Sequence, residues 1–274
     1  MSIKLNGPLL LAGAGNMGFA LLSGWLERGL DPARVIVQDP APPPRIKQTL
    51  DGLGIEVRGE VVSLSEPPAV ILVAVKPQVM DQAFPPLGQL AGKNTVVLSV
   101  AAGRPINGFE AHLAPGIAVV RAMPNTPASV GRGITVAVGN AHMTPAQRDT
   151  CDQLLRAVGE VAWVDDEGLM DAVTAVSGSG PAYVFYLAEC MAKAGADAGL
   201  PPELAGQLAC WTGAGAGELL HRSDLDPAVL RQNVTSPNGT TFAALQVLMG
   251  EDGLAKLMHN AVAAAARRSR ELAK

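Results

Sequence analysis

The sequence predicts an α/β fold: a doubly wound parallel sheet in residues 1–166, followed by an all-α domain in residues 167–274. Three observations carry this. Short aliphatic runs alternate with helical patterns up to about residue 165. A G-x-G-x-x-G segment joins the first such run to the first helical pattern. After Asp165-Asp166-Glu167 no convincing strand occurs, and helix-length segments rich in alanine and glycine take over.

The elements follow in order. Leu9–Ala12 reads as the first strand, and residues 17–28 as a helix stopped by Gly29. Val35–Gln38 is the second strand. The biased segment Ala41-Pro42-Pro43-Pro44 makes a stiff loop before a helix over residues 45–53. Residues 70–75, 95–100, 117–121, 134–138 and 161–164 read as further strands, β-branched and bounded by Gly, Pro or Asp. Their nearly continuous apolar character implies burial on both faces, hence a parallel sheet between helices. In the second half, residues 181–200, 202–221, Pro227–Asn233, 240–250 and 252–272 read as helices. Several carry proline in the first turn, where it is tolerated. Gly213, Gly215 and Gly217 interrupt one of them, which suggests close helix–helix contact and an oligomerisation domain.

Composition narrows the functional classes. The chain of 274 residues holds one large or two modest domains. It is 48% hydrophobic but only 4% aromatic, so alanine, valine and leucine must fill its cores. A net charge of −4 argues against nucleic-acid binding, which needs a basic face. The one dense basic run, Arg267, Arg268, Arg270 and Lys274, reads as a solvated last turn complementing its helix dipole. Cys151, Cys190 and Cys210 form no C-x-x-C pair, which points to a reducing cytosol. His112, His142, His221 and His259 are scattered, and no metal is expected. Residues 8–26 imitate a signal peptide, but glycines, Asn16 and the following Glu27 break the run, and no membrane span is expected.

Gly13-Ala14-Gly15-Asn16-Met17-Gly18 follows a strand and opens a helix, the context that makes a dinucleotide site. Gly13 permits the turn, Gly15 lets the backbone approach the pyrophosphate, and Gly18 lets the helix pack on the strand. Asp39 ends the second strand, where a carboxylate accepts from the adenosine ribose and repels a 2′-phosphate. That favours NAD, while Arg45 and Lys47 would serve NADP if Asp39 turned away. Ala74-Val75-Lys76-Pro77, Ala101-Ala102-Gly103 and Met123-Pro124-Asn125-Thr126-Pro127 lie at the carboxyl ends of later strands, the ligand-binding edge of such sheets. Pro124 and Pro127 bracket Asn125 and Thr126, so extended geometry should hold the Asn125 amide in place. Lys76 reads either as a solvated residue or as part of the site.

Far along the chain, Thr235-Ser236-Pro237-Asn238-Gly239-Thr240-Thr241 interrupts the helical half and precedes the helix-spaced Phe242, Leu245, Leu248 and Met249. It should form a helix entrance, whose free N–H groups and positive dipole end suit a carboxylate or phosphate. Ser177, Ser179 and Tyr183 are better read as a helix entrance and a packing residue than as a nucleophile or an acid.

The segments Gly13 to Gly18, Val75-Lys76-Pro77, Arg121 to Pro127, Val176-Ser177-Gly178-Ser179-Gly180-Pro181-Ala182-Tyr183 and Ser236 to Thr241 occur in this order. With them the chain resembles the pyrroline-5-carboxylate reductases over essentially its whole length. The resemblance implies an N-terminal Rossmann-type domain and a helical domain that interlocks with a partner subunit, giving a dimer or a multiple of dimers. It implies hydride transfer from NADPH or NADH to the C=N carbon of 1-pyrroline-5-carboxylate, giving L-proline. Gly13, Gly15, Asn16, Met17 and Gly18 would meet the pyrophosphate. Ala74, Val75, Lys76, Pro77, Ala101, Ala102 and Gly103 would line the rest of the cofactor, with Asn233 as a further contact. Ser236, Gly239, Thr240 and Thr241 would hold the substrate carboxylate and ring nitrogen, with Asn125 completing the substrate set.

Thr241 is the expected catalytic residue, whether it only orients the imine ring or also relays a proton. Two departures stand out. Asn238 replaces the family's usual glycine, and Asp39 stands where small hydroxyl or basic residues often select NADP. A related imine reductase or a β-hydroxyacid dehydrogenase would share the architecture. The latter should carry a lysine in the first helix after the sheet domain, and residues 177–188 contain none. A non-catalytic NAD(P)-binding regulator would have no use for the threonine island. The active site is expected to assemble between domains or subunits.

Overall fold

The computed structural model describes residues 3–61 and 63–272, so Lys274 of the basic run lies outside the described residues. The chain forms two compact units. One runs to Gly178 and takes in the C-terminal turn from Ala266. The other is Ser179–Ala265.

The first unit is a sheet covered on both faces. Its strands are β1 (Leu9–Ala12), β2 (Val35–Gln38), β3 (Glu56–Arg58), β4 (Val70–Val73), β5 (Val96–Ser99), β6 (Ala118–Met123), β7 (Gly133–Gly139) and β8 (Gly159–Trp163), in the order β3-β2-β1-β4-β5-β6-β7-β8. The first six strands have the doubly wound arrangement in which sheet order reverses between β1 and β4, the switch point where a crevice opens for a ligand. Helices α1 (Asn16–Glu27), α2 (Pro44–Gly52), α3 (Met80–Gly88), α4 (Ile106–Glu110) and α5 (Pro145–Leu155) flank it. Every residue of β1, β4 and β5 is buried. Alternate residues feed two cores. Leu9 and Leu11 join Leu21, Leu22, Trp25, Leu154 and Leu155 on one face. Leu10 and Ala12 join Phe84, Phe109 and Met80 on the other. The Trp25 indole N–H donates to the Leu154 carbonyl at 2.7 Å, tying α1 to α5. Burial, then the neighbouring Asp152, pushes the Cys151 thiol up to about 12, and all three cysteines are free.

The structure departs from the expectations in several places. β7 runs antiparallel to β6, not parallel. Its connection, residues 124–132, is too short for the crossover that a parallel neighbour requires. The strand β3 is polar and only three residues long, so no apolar run announced it. Helix α3 was hidden by Pro85 and Pro86 near its C-terminal end. Helix α4 is a single short turn of chain. α5 carries a complete capping box, Thr144 with Gln147, and Pro145 at its start, a legible signal that the aliphatic pattern overshadowed. Arg267, Arg268 and Arg270 of the basic run are exposed, as expected. Ser269 within it is buried and donates to Asp171 Oδ1 at 2.6 Å, and Leu272 lies against Gly103.

After the sheet come α6 (Met170–Val173), a π-turn over Thr174–Gly178, and α7 (Gly180–Asp197). The second unit continues with α8 (Pro202–Arg222), α9 (Pro227–Asn233), α10 (Thr240–Leu248) and α11 (Leu254–Leu272), whose last turn belongs to the first unit. α7 packs along α8. Gly195 lies against Ala205 and Leu200, the close approach that small residues permit. Yet α7, α9 and α10 contain no buried residue, and α8 buries only Ala205 and Ala209. Among the described residues no helix is long and apolar enough to cross a membrane.

Candidate active site

The glycine loop is shaped by its neighbours. Gly13 has φ +95°, and a Cβ there would lie 2.7 Å from the Ala74 carbonyl oxygen. A Cβ on Gly18 would fall 2.1 Å from the Gly13 oxygen, so only glycine lets α1 seat on the loop. Gly15 differs, because nothing stands within 4 Å of its Cβ position. Its side of the loop is open, and it caps α1 in extended geometry with no side-chain cap. The first-turn N–H groups from Asn16 and Met17 onward therefore face outward at a positive dipole end, which fits a pyrophosphate.

Asp39 braces this loop. Its Oδ2 accepts from the Ala14 N–H at 2.8 Å and its Oδ1 from the Ala41 N–H at 2.9 Å. The carboxylate is thus held beside the glycine turn, with lone pairs left for a further donor. Arg45 lines a cleft with Asn16 and Met17, so the cationic alternative also stands near the loop.

The neighbouring strand ends are tied to one another. The Ala74 N–H donates to the Ala12 carbonyl at 2.8 Å, continuing β4 beside the glycine loop. Val75 follows at half exposure, and exposed Lys76 caps the short turn Pro77–Val79. Beyond β5, Ala101 is buried, Ala102 is exposed and Gly103 turns at φ +70°. Arg104 then donates to the Pro77 carbonyl at 2.7 Å and pairs with Asp81, fastening the β5 loop to the β4 loop. No sequence motif marked Arg104. Only its place one residue after Gly103 hinted at it. Buried Arg121 pairs with Glu167 at 2.9 Å, and the same carboxylate oxygen accepts from the Ile106 N–H.

Asn125 is extended, at φ −131° and ψ 166°, whereas Thr126, the residue before Pro127, opens the 3₁₀ turn Thr126–Val130 and does not share the expected extended geometry. Its Oδ1 accepts from the Ile134 N–H at 3.1 Å and its Nδ2 donates to Ser177 Oγ at 3.3 Å. The amide therefore bridges β7 and the π-turn, and brings to this edge a serine that sequence reasoning had set aside.

In the helical unit, Asn233 ends α9 and is exposed. The Thr235 hydroxyl donates to the Arg231 carbonyl at 2.6 Å, which closes α9. The turn follows: the Gly239 N–H donates to the Ser236 carbonyl at 3.1 Å, with Asn238 in the left-handed region at φ 57°. Gly239 caps α10 in extended geometry without a side-chain cap, leaving the N–H groups of Thr240 and Thr241 free of helical partners. A Cβ on Gly239 would lie 2.5 Å from Ser236 Oγ, so the glycine keeps that hydroxyl at the entrance. Thr241 is half-buried and Thr240 exposed. Ser236, Gly239, Thr240 and Thr241 are thus gathered at one helix entrance, and the glycine, Ala74, Ala101 and Asn125 segments at one sheet edge.

A family profile described as pyrroline-5-carboxylate reductase dimerisation matches residues 167–272. One described as NADP oxidoreductase, coenzyme F420-dependent, matches residues 9–103. The chain is similar to the pyrroline-5-carboxylate reductase of Pseudomonas aeruginosa, at 40% identity over 263 residues and 95% of each chain. It is also similar to that of Synechocystis sp., at 40% identity over 279 residues and 100% of each chain. Among solved structures it is similar to a pyrroline-5-carboxylate reductase from Coxiella burnetii, with TM-score 0.90, 32% identity and coverage of 98% and 99%. It is similar as well to the Plasmodium falciparum enzyme with NADP bound, with TM-score 0.83, 26% identity and coverage of 99% and 100%. The chain belongs to the pyrroline-5-carboxylate reductase family.

Proposed function

We infer that the chain catalyses hydride transfer from NADPH or NADH to the C=N carbon of 1-pyrroline-5-carboxylate, producing L-proline. The observation that carries this is the pairing of two open helix entrances in one sequence. One follows the glycine loop at Gly15 and the other opens at Gly239, and neither is capped by its own side chains. The glycine loop fits the cofactor, because Gly13 and Gly18 are sterically filled while Gly15 is bare. The bound dinucleotide supplies the hydride.

The chain's own groups bind and orient. Gly13, Gly15, Asn16, Met17 and Gly18 hold the pyrophosphate. The loops Ala74 to Pro77 and Ala101 to Gly103 shape the remainder of the cofactor site, with Asn233 as a further contact. At the α10 entrance, the N–H groups of Gly239–Thr241 and the Ser236 hydroxyl grip the substrate carboxylate. The Thr241 hydroxyl hydrogen-bonds the ring nitrogen and orients the ring, and the Asn125 amide completes the substrate contacts. An imine nitrogen arrives protonated from solvent, so orientation supplies much of the rate gain and no strong acid is needed. Asp39 sets the cofactor preference toward NADH by accepting from the adenosine ribose.

Residues 1–166 serve as the cofactor domain, and residues 167–274 as the substrate and dimerisation domain. Self-association follows the family and suits a helical unit that leaves Phe185 and Trp211 about two-thirds exposed or more. The assembly is an interlocked dimer or a multiple of dimers, working in the cytosol. The deciding assay follows NADH and NADPH oxidation with pyrroline-5-carboxylate, then dinucleotide reduction with a small β-hydroxyacid. Turnover of the imine is expected, and turnover of the hydroxyacid alone would overturn the assignment.

A further inference from the structure

Several hydroxyls on or next to helices of this protein make the same local bond. Thr49, Thr150, Thr174 and Thr235 each donate to the carbonyl four residues earlier. Ser177 does not. It sits in the π-turn Thr174–Gly178, where the backbone departs from α geometry, and such turns recur at functional sites. Its oxygen accepts from Asn125 Nδ2 at 3.3 Å. The orientation of that amide is set from its other end, since Asn125 Oδ1 accepts from the Ile134 N–H. With its oxygen engaged as an acceptor and no acceptor for its proton among the described residues, the Ser177 hydroxyl is a half-buried donor held ready.

Its position is fixed by packing. Asn125 follows the carboxyl end of β6. The adjacent Gly178 is pressed on Met123, where a Cβ would lie 2.5 Å from Met123 Cε. Ser177 therefore stands over the β6 end, in the same compact unit as the glycine loop. A dinucleotide whose pyrophosphate lies at the α1 entrance beside β1 and β4 extends its nicotinamide half across the ends of β4, β5 and β6. The polar group on a nicotinamide ring is its carboxamide, and the carboxamide oxygen accepts a single directed donor. The substrate carboxylate has its own donors at the α10 entrance.

We propose that Ser177, oriented by Asn125, donates a hydrogen bond to the carboxamide oxygen of the nicotinamide ring and so sets which ring face meets the imine. This rests on the reductase reading above. The test is calorimetric and uses the full chain. The cofactor that supports faster turnover, NADH or NADPH, is titrated into wild type and Ser177→Ala. ADP-ribose or its 2′-phosphate, which lack the nicotinamide, are titrated in parallel.

Loss of one directed hydrogen bond should weaken dinucleotide binding about 3- to 10-fold in Ser177→Ala. ADP-ribose affinity should be unchanged, and Ser177→Thr, which keeps the hydroxyl, should return dinucleotide affinity to within about twofold of wild type. Equal weakening of both ligands, no weakening of either, or a rise confined to the KM of the imine substrate would each overturn the assignment. If wild type fails to turn over pyrroline-5-carboxylate while the binding difference stands, the reductase reading fails and the Ser177 contact does not.

Discussion

The sheet unit and the helical unit bury their side chains in opposite ways. In the sheet unit, β1, β4 and β5 are wholly buried and two cores fill both faces. In the helical unit, α7, α9 and α10 bury nothing within the chain, and aromatic residues such as Phe185 and Trp211 stand in the open. The lesson is that the first unit contains its own core whereas the second must find its core in another copy. Isolated helices gain little stability without packing, and exposed apolar surface on this scale marks an interface. The first unit also locks its functional groups by internal contacts, whereas the second presents its candidate clamp on a short, exposed turn.

The most damaging test of this contrast removes the exposed aromatics. The double variant Phe185→Ala with Trp211→Ala should cost at least about 3 kcal/mol and shift the oligomer toward monomer. Sedimentation and concentration-dependent denaturation would read both effects. True surface residues would change stability by roughly 0.5 kcal/mol or less, and that outcome would break the comparison.

Within the sheet unit, two glycines of one motif should behave differently. Gly18→Ala places a Cβ 2.1 Å from a backbone oxygen, whereas Gly15→Ala meets nothing within 4 Å. The first should lower stability by several kcal/mol, on the order of the larger single-site losses. The second should leave Tm unchanged and weaken cofactor binding, because its Cβ fills the space the pyrophosphate needs. Thermal melts with and without dinucleotide separate the two.

Thr241→Ala probes the helical clamp. It should lower kcat/KM by about 1–3 kcal/mol of transition-state binding while leaving the melt unchanged. Wild-type kinetics would remove Thr241 from the mechanism. Asp39→Ser should shift the ratio of NADH to NADPH efficiency toward NADPH by roughly 1 kcal/mol. It also releases the Ala14 N–H, so affinity for both cofactors should fall together with the shift in preference. A ratio of NADH to NADPH efficiencies that does not move would show that Asp39 braces the loop only.

The smallest effect belongs to Asn238. Its φ of 57° suits glycine better, though asparagine tolerates that region. Asn238→Gly should change stability by less than about 1 kcal/mol and leave KM for the imine near wild type. A large KM change would mean that the asparagine side chain itself takes part in the clamp.

Much of this was legible in the residues. The alternation of β-branched runs with helical segments sets a sheet between helices. Gly13 and Gly18 announce the loop because only a missing Cβ allows its turn and packing. What escaped did so for physical reasons. β3 is too short and polar to carry a period, and Pro85 and Pro86 masked α3. The direction of β7 depends on how far a short connection can reach, which periodicity does not encode.

By itself, then, the sequence determined every strand but β3, helices α1 and α2 beside the sheet, the glycine turn and the threonine helix entrance, because each depends on local sterics or local spacing. Tertiary structure alone decided the rest. It brought Asn125 to Ser177 across 52 residues of chain, joined Arg104 to Pro77 and Asp81, and pressed Leu272 against Gly103. Such contacts arise from the closing of the sheet and the return of the last helix. No local pattern carries them, since each partner on its own is an ordinary residue in an ordinary turn.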